Sequence, residues 1–574
     1  MTQEGIHFEV LADEGRGWSV QAVLDDLASA ESLAHDIADT TKVLAVKVVR
    51  AGYDERTGQF MDREMLFLGE RQPRQEGRRD KLDAGPVCRN PQELYTIASR
   101  RAIRRVLRSW LESRGVAPVE LLHDFELYTK LENTGNILLS GVQRAAMVQS
   151  SGNVQARQRE LFKLIENAAI RLRRALRTDQ RLQLYDDVDA LAQQASATAE
   201  DGVLLFNCAI TEWLRDFEKP VPKVSALLDL IGRASDKAAL AWLDDYATDF
   251  VADPAIIRHF LGEEAPLGDI VIRIAGVLAD EPVPALEDVA ESDAERDFRL
   301  LADLVRRRVL PKCRAALLRR LVRTLKTPRA LTNRGAIAEA RYCFELNRIL
   351  HRPDGEYIGG PEMAEALEQR SERAITANAV ARLTEGMIAP LDRVAPLLDL
   401  EPGIVGERNK TTLGEHVLAI LSNAENRKLL LEPVGPPAHH MRNLAQVQAR
   451  IAQSGFNERQ RSQAIGLLDD ICIQIMEREQ ILKKVASMGG DRISICVTLL
   501  RLCAGGTFTE GRAAERARGE ALRLLQTPGF IERYLESVDG REEKKRRLMT
   551  LRELIDQARL PETPLTAAMA MAVE

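Results

Sequence analysis

The chain is poor in aromatic residues, which make up 5% of its 574 positions. Proteins that hold single-stranded nucleic acid commonly stack bases on such rings, so the scarcity speaks against that activity. Net positive charge is missing too. The formal charge is -6 and the isoelectric point about 6.0, which removes the global basicity expected of a nucleic-acid or anionic-membrane binder. No apolar run approaches the roughly 18 residues of a membrane-crossing helix. The opening "MTQEGIHFEVLADEGRGW" has no basic stretch followed by an apolar core, so no secretory signal is read there.

Cysteines are few and scattered: Cys88, Cys208, Cys313, Cys343, Cys472, Cys496 and Cys503. Their number is odd and no CxxC pair occurs, which argues against a disulfide framework or a thiolate zinc site. Most sit in apolar runs such as "LLFNCAI" and read as buried free thiols of a cytoplasmic protein. Catalytic signatures are absent as well. HExxH, GxSxG, GxGxxG and the kinase set do not occur. His439 and His440 are adjacent in the proline-rich "GPPAHH", which reads as a solvated loop without a third metal ligand nearby. No cofactor and no metal is expected.

One stretch imitates a nucleotide site. "GIVGERNKTTLGEH", residues 403–416, has glycines, a lysine and two threonines ahead of an apolar helical pattern. A Walker loop needs glycine, four residues, glycine, lysine, then serine or threonine. Here Asn409 precedes Lys410, and Ile404 stands where the first glycine belongs. The local reading is a helix capped by Thr412, with Glu415 completing a capping box.

What is present is helix-forming text, 45% hydrophobic and 29% charged, dominated by alanine, leucine and arginine. Only the first seventy residues differ. "HFEVLA" and "WSVQAVL" alternate with period two, "SAESLAHDIADT" has helical spacing with Ser29 as cap, and two further β-rich runs flank "DERTG" with Gly58 in a hairpin loop. The order is β-β-α-β-β, burying Phe8, Val10, Trp18, Val46 and Val48. Residues 71–90 form a polar linker. Beyond it the pattern predicts helices only, among them 91–114, 117–132, 154–196, 311–326, 361–386, 412–423 and 457–486. Asn90 with Pro91, and Pro361, mark helix starts, and Gly505 marks a left-handed stop. The fold class is therefore mainly α: helical bundles or an irregular α-solenoid behind a small α/β module. The expected divisions are 1–70, 71–90, 91–198, 199–434, 435–560 and a tail, 561–574.

Two basic clusters carry the remaining signal. From Arg306 to Arg334 the chain holds eleven basic residues and no acidic one. A helix from Pro311 aligns Leu317, Leu318, Leu321, Val322 and Leu325 in one stripe, with Arg314, Arg319, Arg320, Arg323 and Lys326 around it. "SRRAIRRVLRSW" spaces Arg100, Arg104 and Arg108 by four. These eight side chains are the candidate interaction surface. The acidic run "DEPVPALEDVAESDAERD", residues 280–297, is positioned to neutralise the basic helix that follows. The sequence reads as a bacterial cytoplasmic scaffold or adaptor that binds other proteins. The alternatives are a nucleic-acid-associated protein using the arginine helices, or an enzyme whose site converges from distant segments.

Overall fold

The computed structural model describes residues 6–13, 18–24, 26–40, 43, 45–54, 59–69, 85–150, 152–177, 181–185, 187–198, 201–261, 266–279, 293–432, 435–487 and 491–561. Internal packing divides the chain into two units, Met1–Ala84 and Gly85–Glu574.

The first unit follows its alternating pattern. Strands β1 (Ile6–Asp13), β2 (Trp18–Leu24), β3 (Ala45–Asp54) and β4 (Gln59–Gly69) form an antiparallel sheet in the order β2-β1-β3-β4. Helix α1 (Leu27–Thr40) lies on one face, closing Val10, Ala12, Val46 and Val48 against Ala30 and Ala34. Period-two alternation puts one side of each strand on that core. Phe8 is only half-buried, and the side chain of Trp18 lies outside the described residues, as does Gly58. The cap of α1 is not Ser29 but Asp26, whose carboxylate accepts the Ser29 N–H at 2.9 Å.

The regular elements of the second unit are all helices among its described residues, apart from a single bridge between His351 and Tyr357. Its helices pack serially. Ile97–Val106 lies on Lys237–Val251, and Pro311–Lys326, Pro361–Ala374, Glu407–Ser422, Glu458–Arg478 and Arg512–Leu525 follow as successive neighbours. A second row runs through Leu267–Leu278, Ala336–Leu350, Pro390–Leu400 and Pro437–Gln453. Contacts between neighbours in a series are the mark of a solenoid-like arrangement. The largest apolar core extends from Ala117 to Val405, and the next from Ala340 to Ala517, so packing continues across the proline-rich break at 435–440. That segment is not a loop at its end. His439 and His440 stand in the first turn of Pro437–Gln453, and His440 Nε2 donates to the Leu430 carbonyl at 2.8 Å.

Several long predicted helices are broken by side-chain caps. The expected 91–114 helix is a 3-10 turn, Pro91–Tyr95, capped by Asn90, followed by Ile97–Val106 and Arg108–Arg114. Thr96 caps the second piece. Asp124 splits 117–132 by accepting the N–H groups of Glu126 and Leu127. Thr376 likewise splits 361–386. Apolar spacing continues across each interruption, so periodicity alone cannot see it, whereas a carboxylate or hydroxyl that satisfies exposed N–H groups restarts the helix. At the predicted stop, Gly505 keeps φ -76° and it is Gly506 that takes φ +59°.

Some helices borrow their caps. Pro311–Lys326 begins after Leu310, which has no acceptor, and Asp244 of another helix accepts the N–H groups of Lys312 at 2.8 Å and Cys313 at 3.0 Å. Asp469 does the same for Arg512 and Ala513 at 2.9 and 3.1 Å. Asp189 holds the backbone of Ser235 and Asp236, just ahead of Lys237–Val251. The caps at Asp244 and Asp469 satisfy N–H groups that a helix start leaves open, while Lys237–Val251 is capped by its own Asp236, and all three carboxylates tie two helices together.

Candidate anion-binding surface

The borrowed cap at Asp244 fixes the helix that presents the basic residues. Burial pushes the Asp244 carboxyl above its usual range, while the two N–H donors pull the other way. Leu317, Leu321, Val322 and Leu325 are buried and anchor the helix as the stripe predicted. Leu318 departs from it and is only half-buried.

The eight basic residues singled out by the sequence separate into two groups. Arg100 is 1% exposed and lies between helices. Its Nη1 is 2.7 Å from Asp245 Oδ2, its Nε is 3.1 Å from Asp249 Oδ2, and it also bonds the Tyr95 and Asp245 carbonyls. Desolvation by itself would lower the guanidinium, but Asp249 and Asp245 outweigh it and hold Arg100 above its ordinary value. Arg104 pairs with Asp253 and bonds the Asp249 carbonyl at 2.6 Å. Arg314 donates to the Leu278 carbonyl at 2.6 Å, Lys326 reaches Glu365 at 2.7 Å, and Arg108 pairs with Glu112 on its own helix. Arg100 and Arg104 are thus interhelical clamps rather than parts of a docking surface. A spacing of four puts them on one helix face, and that face is turned inward.

Arg319, Arg320 and Arg323 make up the other group. None has a carboxylate partner among the described residues. Desolvation lowers Arg319 from its ordinary value and the positive charge of Arg101 adds to that. Desolvation also lowers Arg320, with Arg323 and Arg258 adding to it and only Asp253 opposing. Arg101, from Ile97–Val106, and Arg258, from Pro254–Leu261, therefore complete the group, and both are exposed. Among the described residues neither has a carboxylate partner. Arg101 was hidden beside the clamp residues in "SRRAIRR". Arg258 stands alone among apolar residues in "PAIIRHFL" and has no sequence signal at all. The acidic run expected to neutralise this helix falls at 280–292 outside the described residues. Its last carboxylates, Glu295 and Asp297, pair with Arg273, Arg299 and Arg296.

Arg101 thus lies near Arg319, and Arg258 and Arg323 lie near Arg320, which puts five guanidinium groups from three helices in one region without carboxylates of their own, with Asp253 close to Arg320. Guanidinium groups bind carboxylate or phosphate oxygens with paired donors, and a group of them attracts anions at long range. The imitation nucleotide loop does not add to the surface. Glu407–Ser422 starts well ahead of Thr412, which sits mid-helix with its hydroxyl on the Arg408 carbonyl, so the expected capping box does not form. Lys410 Nζ is held by Glu401 at 2.8 Å, an acid that also accepts the Gly455 N–H. Among the described residues, no group of three or more histidines, cysteines or acids is arranged to hold a metal, and no helix is long and apolar enough to cross a membrane. No family model, curated protein or solved structure matches the chain.

Proposed function

We propose that the helical unit is a protein scaffold that grips an acidic segment of a partner through Arg101, Arg258, Arg319, Arg320 and Arg323. The supporting observation is a contrast in pairing: Arg100, Arg104, Lys312 and Lys326 on the same helices or their neighbours are tied to carboxylates, and these five are not. Lining up five guanidinium groups is electrostatically unfavourable, and an acidic segment relieves it. An acidic protein segment suits the surface better than nucleic acid, because the whole chain carries -6 and lacks the long-range attraction for a polyanion. We assign the protein to the cytoplasm on its seven free cysteines.

Fluorescence anisotropy with a labelled hexaglutamate peptide tests the reading. Saturable binding is expected, weakened at least about tenfold by Arg319→Glu with Arg323→Glu. A labelled DNA duplex should bind weakly at about 200 mM salt, where counterion release no longer favours it. Micromolar DNA binding at that salt, lost in the double variant, would replace the scaffold with the nucleic-acid reading.

A further inference from the structure

A second site lies far from the arginine surface in sequence, in a cleft of about 360 Å³ bounded by the Ala377–Leu383, Pro390–Leu400, Glu407–Ser422 and Ala424–Leu431 helices. Its volume is in the range of small-ligand and side-chain pockets. We infer that the cleft binds an acidic residue of a short aliphatic peptide, with the carboxylate on Arg393.

The polar groups of the cleft are of two kinds. Arg393 is half-buried, and its guanidinium has no hydrogen-bond or ion-pair partner among the described residues. Glu385, Asp392 and Glu415 are exposed carboxylates on the same or adjoining segments, and none of them pairs with it. Asn423 spends its Oδ1 on the Glu425 and Asn426 N–H groups, at 3.0 and 3.1 Å, which leaves its Nδ2 as a donor. These are two donor groups for a carboxylate. His416 supplies the opposite polarity. Its Nε2 lies 3.1 Å from the Ile375 carbonyl, and a carbonyl only accepts, so Nε2 carries the proton. With Nε2 so engaged, Nδ1 of the neutral tautomer is an acceptor, the complement of a peptide N–H.

The rest of the lining is small and apolar, with Ala377, Ala381 and Ala419 leaving room for aliphatic side chains. Residues 385–389 join two lining positions, Thr384 and Arg393, and carry Met387 and Ile388. Ile388 is 82% exposed. A body of aliphatic side chains beside the bound carboxylate covers it. A free dicarboxylate would satisfy Arg393 but leave Ile388 in water, which favours the peptide.

Calorimetric titration of the full chain with acetyl-Ala-Glu-Val-amide tests this, with acetyl-Ala-Gln-Val-amide and glutarate as comparisons. The acidic peptide should saturate the protein at millimolar concentration or below, and the glutamine peptide should bind at least about tenfold more weakly. Arg393→Gln should abolish the preference, and Arg393→Lys should retain part of it. Ala381→Leu, which fills the cleft and leaves the charge in place, should also remove binding. Melting curves of each variant establish that it is folded. No saturation by about 10 mM, equal binding of the two peptides, or unchanged binding to Arg393→Gln overturns the site. Glutarate binding as tightly as the acidic peptide overturns the peptide assignment. The Arg319→Glu, Arg323→Glu double variant should bind the tripeptide normally, so failure of the arginine surface and failure of this cleft are read separately.

Discussion

Arg100 and Arg319 carry the same side chain in adjoining parts of the helical unit, and their surroundings drive them in opposite directions. Arg100 is sealed between helices with Asp245 and Asp249 around it, so desolvation is outweighed and the charge is held firmly. Arg319 stands exposed with Arg101 nearby and no acid of its own, so desolvation and repulsion act together. Buried ion pairs are expensive to form and more expensive to break, whereas exposed charges cost little to alter. One region therefore holds the unit together, and the other is free to serve a partner. The first region should respond to substitution in stability, the second in binding.

The largest effect is expected at the clamp. Arg100→Ala leaves Asp249 buried without its counter-charge and should cost about 3–5 kcal/mol in denaturant unfolding. A loss under 1 kcal/mol would erase the distinction between the regions. Leu321→Ala, on the fully buried side of the helix that bears the open arginines, should cost about 2–5 kcal/mol. Half-buried Leu318 should lose less when changed to Ala, and equal losses would show that the stripe is buried evenly after all.

Acidity tests the sealed region by another route. Burial depresses His123 to about 4, with Arg100 adding to the effect and the Val119 carbonyl opposing it. The unfolded chain, with an ordinary value near 6.5, takes up a proton first as pH falls. Stability from this group is fully present above about 6.5 and is lost between there and about 4, a change of about 3 kcal/mol. His123→Gln should flatten that slope in urea melts collected across the window.

Lys410 lies between the extremes. Removing it leaves the mostly buried Glu401 with only the Gly455 N–H, and Lys410→Ala should cost about 1–2 kcal/mol without any response to ATP. The smallest stability effect belongs to Arg319→Glu with Arg323→Glu, within about 0.5 kcal/mol of the parent. A larger loss would mean that these arginines have structural partners, and the open region would join the sealed one.

How far each feature could be read from the chain follows from its range. Period two in "HFEVLA" and period 3.6 after residue 90 report burial on one face, a local property, and both survive in the fold. The stripe from Leu317 to Leu325 is legible for the same reason, although Leu318 shows that its edge is not. Arg100 and Arg104 were read as outward because four-residue spacing states that two side chains share a face and says nothing about what covers it. Their partners, Asp245, Asp249 and Asp253, lie about 145 positions away in sequence. Arg258 joins the open group only through tertiary packing, and Arg393 becomes noticeable only once four helices enclose it.

The borrowed caps have a consequence for the making of the chain. Asp189, Asp244 and Asp469 each precede the backbone they hold, so on the ribosome every acceptor is made before its donors emerge. A helix leaving the exit tunnel at Pro311 finds Asp244 already synthesised and, in a serial fold, already housed in a finished neighbour. At these three junctions the order of translation and the order of docking run in the same direction, whereas Asp249, which accepts the Val119 N–H at 2.9 Å in the first turn of Pro118–His123, is made after the helix it caps. A circular permutant that begins at residue 293 would make Pro311–Lys326 before Asp244 and should refold normally from denaturant yet fold late during synthesis, as protease sensitivity of stalled nascent chains would register.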